Sequence, residues 1–235
     1  MLIGSAERVR ADFDRIAVVS ARDREARSTY SKFLLSYVPR GCACALEIGC
    51  GFGAFARLVA KRAGSVTAVD VSPQMLRVAA ERSVSHPNLR FILGDFLRLE
   101  LRPDTYDCIV TTTTLHHLPQ REAVAKMKRL LRPGGVLVIH DLLDPEGVFD
   151  WALNFVRLPL NGAARFLRTG RLRERREVRQ AWAEHGRHET YLKPRDVLAL
   201  RDEYLPGALV RRHLLWRYTM VWRKPEASAQ VMTRR

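Results

Sequence analysis

From residue 42 to residue 139 the chain alternates five short runs of apolar and β-branched residues with three helix-like patterns, and turn signals separate them. The runs cover 44–49, 65–70, 89–93, 106–111 and 136–139, and the helical patterns cover 54–63, 73–82 and 121–131. Strands separated by helices cannot pair as hairpins, so the alternation demands a parallel sheet with helices on its faces. The stretch Arg132-Pro133-Gly134-Gly135 stops the last helical pattern.

The flanks read differently. Residues 13–37 form one or two amphipathic helices. From 147 to 188 no strand signal occurs, and Trp151, Phe155, Leu158 and Phe166 recur among arginines, which reads as helical. A further helix starts at Pro194, and ALVRRHLLWRYTMVWRK holds two strands that complete the sheet as an antiparallel pair. The expected division is an N-terminal helical lid at 1–41, a core at 42–146, a helical cap at 147–190, completion of the sheet at 191–225 and a tail at 226–235.

At 235 residues with 47% apolar content, the chain buries one good-sized core. The start, MLIGSAERVRADFDR, mixes charges instead of building a leader peptide, and no run reaches the roughly 18 apolar residues of a membrane span. A soluble, cytoplasmic protein is expected. Cys42, Cys44, Cys50 and Cys108 match no paired zinc spacing and read as reduced, mostly buried residues, so no metal site is read from them. The net charge of +15 divides as +3 over 1–41, +3 over 42–145 and +9 over 146–235. Such a C-terminal excess fits nucleic acid, an anionic membrane surface or a solvated face.

The turn in ALEIGCGFGAF carries the first chemistry. Gly49-x-Gly51-x-x-Ala54 satisfies a dinucleotide fingerprint, and Asp70 follows Gly49 by 21 residues, where an acid that binds a ribose diol belongs. That much indicates a nucleoside and leaves open which one. Glu47 favours a cationic ligand, because a carboxylate near the turn repels a pyrophosphate and attracts a sulfonium or an ammonium. Gly53 adds a third glycine to the turn, as though no phosphate had to be gripped.

Four segments in register then resemble the class I S-adenosylmethionine-dependent methyltransferases: LEIGCGFG, VDVSPQML (69–76), LGDF (93–96) and DCIVTTTTLHHLP (107–119) leading to LRPGGVLVI (131–139). The resemblance covers about residues 42–145. It implies a Rossmann-like, doubly wound, seven-stranded α/β sheet, mostly parallel with an antiparallel last strand, plus a helical cap. It implies S-adenosylmethionine as cofactor and S-adenosylhomocysteine as product. Gly49, Gly51 and Gly53 would line the methionine part, with Glu47 organising that end. Asp70 would hold the ribose hydroxyls, Val71 and Met75 would cover the adenine, Asp95 would meet its amino group and Phe96 would flank it. Thr111 and Thr112 would lie beneath the methionine.

Methyl transfer is an in-line displacement, and a base is needed only where the acceptor loses a proton. His116 and His117, just after the fourth strand, and Asp141, just after the fifth, are the candidates, and either histidine also suits capping the next helix. His140, His185, His188 and Tyr191 reach the pocket only if 147–188 folds over it; singly, each reads as a solvated surface residue. The acceptor is expected to be a small molecule methylated on a heteroatom, most simply oxygen, in a metabolite or natural product. The alternative is a lipid or quinone at a membrane surface, met by VFDWALNFVRLPL. RNA is disfavoured, since no Pro-Pro-Tyr type of base-gripping motif follows the fourth strand. Oligomeric state is not legible.

Overall fold

The computed structural model describes residues 3–21, 23, 30–144, 175–213 and 216–226. In chain order the elements are α1 (Ile3–Ser20), α2 (Ser31–Ser36), β1 (Cys44–Ile48), α3 (Ala54–Ala60), β2 (Ser65–Asp70), α4 (Pro73–Glu81), β3 (Leu89–Leu93), β4 (Tyr106–Thr112), a 3-10 turn (Leu115–His117), α5 (Gln120–Leu130), β5 (Leu131–Leu142), α6 (Arg176–Gly186), α7 (Pro194–Tyr204), β6 (Leu209–His213) and β7 (Arg217–Arg223). The helical reading of 147–174, including the apolar wall at 148–160, lies outside the described residues, as does the tail beyond 226.

One seven-stranded sheet runs in the order β3-β2-β1-β4-β5-β7-β6. The first five pair in parallel, and β7 is antiparallel to both β5 and β6. The last strand in the chain is therefore the antiparallel one, wedged second from the edge, and the edge strand β6 runs parallel to β5. Strand order reverses between β1 and β4, so the crevice at their carboxyl ends is where an open α/β sheet takes ligands.

Local chemistry accounts for the elements. From Ala45 to Ile48 every residue of β1 is buried, as a central parallel strand packed on both faces requires. Helix α4 starts with Ser72 accepting the Met75 amide at 3.0 Å, followed by Pro73 in the first turn. In α5 the buried residues Ala123, Val124, Met127 and Leu130 recur at three- and four-residue spacing and join Ile109, Leu137 and Tyr218 in the larger core. The opposite face packs Leu34, Val38, Phe55 and Val59 against Val110 and Val138. Leu131 opens β5 directly after α5, five residues before the sequence reading. Pro133 and Gly134, the latter at φ +75°, sit inside that strand, where the register between β4 and β5 shifts.

All four cysteines are free, and burial pushes the Cys42 thiol up to about 11. Among the described residues no helix is long and apolar enough to cross a membrane.

A candidate ligand cavity at the strand ends

A cavity of about 540 Å³ opens at the carboxyl ends of β1, β2 and β4. At one end stands the glycine turn. Gly49 (φ +71°) donates its amide to the Val69 carbonyl at 2.8 Å, and a Cβ there would lie 2.1 Å from Thr114 Oγ1. Gly51 (φ +52°) differs: a Cβ there would meet nothing within 4 Å, because this position faces the cavity. Asp70 ties the turn to β2, accepting the Gly51 amide at 2.7 Å through one oxygen and the Ser72 amide at 2.9 Å through the other. Burial raises the Asp70 carboxyl, and these amide bonds oppose the rise.

The apolar side of this end comprises Val71, Met75 and Phe96, with Asp95 beside them. Asp95 accepts the Leu97 amide at 2.9 Å, and the Lys126 ammonium lies 5.1 Å from the centre of the Phe96 ring. An open glycine cradle, a fixed carboxylate at the end of β2 and an apolar slot closed by Asp95 have the chemistry that a nucleoside with a charged amino-acid tail requires.

Three expected contacts fall elsewhere. Gly53 does not line the cavity; it starts α3 at φ +73°, and a Cβ there would press on Phe91, Ala79 and Arg57 at 3.2–3.3 Å, so its missing side chain serves packing. Thr111 is fully buried in β4, and Thr112, Thr113 and Thr114 form the wall instead. Period-two alternation turns Thr111 away from the side that Thr112 faces. Glu47 is buried behind the turn and absent from the wall. Burial holds its carboxyl well above the ordinary range, the nearby Asp70 adds to the rise, and one oxygen has no hydrogen-bond partner.

The other end is built from histidines. The 3-10 turn puts His116 and His117 at the rim, and Asp141 of β5 receives both the His116 backbone amide, at 3.0 Å, and its ring Nδ1, at 2.6 Å. With Nδ1–H donating to that carboxylate, Nε2 keeps its lone pair. Asp141 itself does not line the cavity, so it acts through the His116 ring. A bridge between Leu143 and Leu192 straps the segment after α6 to the end of β5, which brings in Glu189 and Tyr191. Glu189 Oε2 lies 3.5 Å from His116 Nε2 and 3.0 Å from His117 Nδ1. His185, in the last turn of α6, has Nε2 3.5 Å from Glu189 and Nδ1 3.3 Å from Asp12 of α1. Phe13 of α1 packs edge-on against His117, with ring centres 5.3 Å apart. Burial lowers the His117 pKa against the pull of Glu189. Burial alone would raise the Glu189 carboxyl, but the His117 contact and the neighbouring imidazoles bring it below its ordinary value.

The solvated reading of the remaining candidates holds only for His188, which is exposed. His185 is buried in the wall, and the Tyr191 ring lies 5.1 Å from that of His116. His140 is buried away from the cavity: its Nδ1 and His213 Nε2 share the Thr219 hydroxyl at 2.9 and 2.8 Å, under Tyr30. Sequence reasoning missed Glu189, Asp12, Phe13 and Arg217. Of these only Glu189 had a local signal, lying four residues after His185 at the end of an amphipathic helix.

The methyltransferase domain family model matches residues 46–139. An uncharacterized methyltransferase of Mycobacterium tuberculosis is 31% identical over 200 residues, spanning 83% of this chain and 94% of that protein. A malonyl-[acyl-carrier protein] O-methyltransferase of Halalkalibacterium halodurans is 39% identical over 99 residues, 40% of this chain and 36% of that one. The fold matches that of the N-methyltransferase NodS of Bradyrhizobium japonicum, solved with S-adenosylhomocysteine, at a TM-score of 0.57 and 21% identity over 83% and 86% of the two chains.

Proposed function

The chain belongs to the class I S-adenosylmethionine-dependent methyltransferases, and on that premise we propose that it methylates an oxygen of a small-molecule acceptor held at the histidine end of the cavity. The observation that carries this reading is the His116–Asp141 pair, a histidine held through its ring Nδ1 and its backbone amide on one carboxylate, with Nε2 on the cavity side. That a relative sharing two fifths of this chain is an O-methyltransferase supports oxygen as the atom methylated. Bound S-adenosylmethionine supplies an electrophilic methyl group on a positively charged sulfur.

The chain's own residues hold and orient. Gly51 lets the backbone come close while Gly49 makes room for Thr114 behind the turn, and Asp70 has lone pairs left for ribose hydroxyls beyond those its amide bonds use. Val71, Met75 and Phe96 cover the adenine, with Asp95 at its edge. His116 Nε2 takes the acceptor's hydroxyl proton, Asp141 fixes the ring in the tautomer that can do so, and His117 closes the rim beside it. The apolar wall of Val9, Phe13 and Leu118 excludes water, which would screen the developing charge.

Replacement His116→Ala is expected to lower kcat by about 10²–10⁴ while leaving cofactor affinity unchanged, the span typical of general-base catalysis. Asp141→Asn should lower kcat without raising the acceptor KM, because it misdirects a ring nitrogen and removes no acceptor contact. An His116→Ala enzyme at full turnover would place the proton elsewhere and sink the assignment.

A further inference from the structure

We propose that His116, His117 and Glu189 form a binding site for a divalent cation of the zinc class at the acceptor end of the cavity. One donor atom from each of His116, His117 and Glu189 lies within 4.8 Å of the other two. Glu189 Oε2 sits 3.5 Å from His116 Nε2 and 3.0 Å from His117 Nδ1, while its other oxygen lies 3.5 Å from His185 Nε2. Donors around a tetrahedral ion with bonds of 2.0–2.1 Å stand about 3.3 Å apart, so these spacings match a coordination shell within small side-chain adjustments.

The remaining ring nitrogens are arranged as ligands require. His116 turns Nδ1 to Asp141 at 2.6 Å, which sets the tautomer and leaves Nε2 as a donor, and His185, behind Glu189, turns its own Nδ1 to Asp12 at 3.3 Å. His117 supplies an independent observation: its side chain is 5% exposed, and its Nδ1 faces the cluster with no hydrogen-bond partner. Glu189 is comparably buried, and among the described residues no lysine or arginine pairs with it. Two imidazoles and one carboxylate select zinc, cobalt or nickel over magnesium or calcium, which prefer oxygen ligands throughout.

The inference rests on reading this end of the cavity as the acceptor's, where His116 Nε2 takes a proton. One lone pair serves the ion or the proton, so an ion bound here slows methyl transfer, and chelation restores it.

The test titrates the full chain, untagged and freed of metal by chelation, with zinc in a calorimeter. One equivalent is expected to bind, with affinity lowered about a hundredfold or more by His117→Ala and by Glu189→Gln. The exposed His188→Ala variant should be unchanged, and retained S-adenosylmethionine binding will show that the variants are folded. No stoichiometric binding, or equal affinity in the two ligand variants and the parent, overturns the site. Failure to bind zinc, with His116→Ala still slow, removes the ion and keeps the proposed proton role. Zinc binding that speeds transfer keeps the site and removes that role.

Discussion

Asp70 carries two backbone hydrogen bonds before any ligand arrives, one from the glycine turn and one from the start of α4, so its carboxylate stands at a fixed place on the cavity wall. A charge-assisted hydrogen bond contributes about 1.5–3 kcal/mol, and each 1.4 kcal/mol is tenfold in affinity. Asp70→Ala is therefore expected to weaken S-adenosylmethionine binding by about ten- to a hundredfold, read by calorimetry; an unchanged affinity in a folded variant would refute the ribose contact. Gly49 and Gly51 of the turn should separate folding from binding. In Gly49→Ala the new methyl collides with Thr114 inside the protein, and stability drops. Gly51→Ala carries a similar left-handed strain but points its methyl into open space, so its loss should fall mainly on the cofactor.

At the scale of elements, β5 holds two neighbouring titratable residues that face opposite ways. Asp141 serves the cavity, whereas His140 is sealed between the sheet and Tyr30, against Thr219 of β7 and His213 of β6. Burial first, then Arg217 and His213, lowers the His140 pKa from 6.5 to about 4, and Asp141 opposes the shift. The unfolded chain binds that proton more readily than the folded one. The stability linked to it is complete above pH 6.5 and is lost as pH falls from 6.5 towards 4, by up to about 3 kcal/mol. Urea midpoints measured across that window should fall steeply for the parent and less steeply for His140→Gln; parallel slopes would show that the ring is not the group responsible. Separate contacts anchor α1. Asp14 accepts the Ser72 hydroxyl at 2.6 Å and Asp12 meets His185, so one helix is tied both to the start of α4 and to α6.

Over the whole molecule, the +15 charge raises the question of a polyanionic partner. The expected outcome is weak binding to duplex or single strands, indifferent to sequence and lost with added salt, with no methyl transfer to them. Labelled methyl appearing on RNA or DNA at a rate comparable to a small acceptor would reverse that. What the sequence by itself determined is the part encoded locally. The alternation of strand and helix periods dictated a parallel core, and the turn from Gly49 to Gly51 and the acids at 70 and 95 were legible because each lies within a few residues of the strand end that positions it. His116 and Asp141 were legible as candidates for the same reason, since one follows β4 and the other lies at the end of the neighbouring β5, although their pairing was not. Only the tertiary structure decided the rest of the histidine end. Glu189 and His185 reach His117 because a strap at Leu143 and Leu192 and the crossing of α1 over α4 and α6 bring together side chains more than 60 residues apart. No local period records such a meeting, because it depends on how separate elements pack over the sheet edge. For the same reason, only the pairing of β5 with β7 showed that His140 belongs to a buried interior and not to the site.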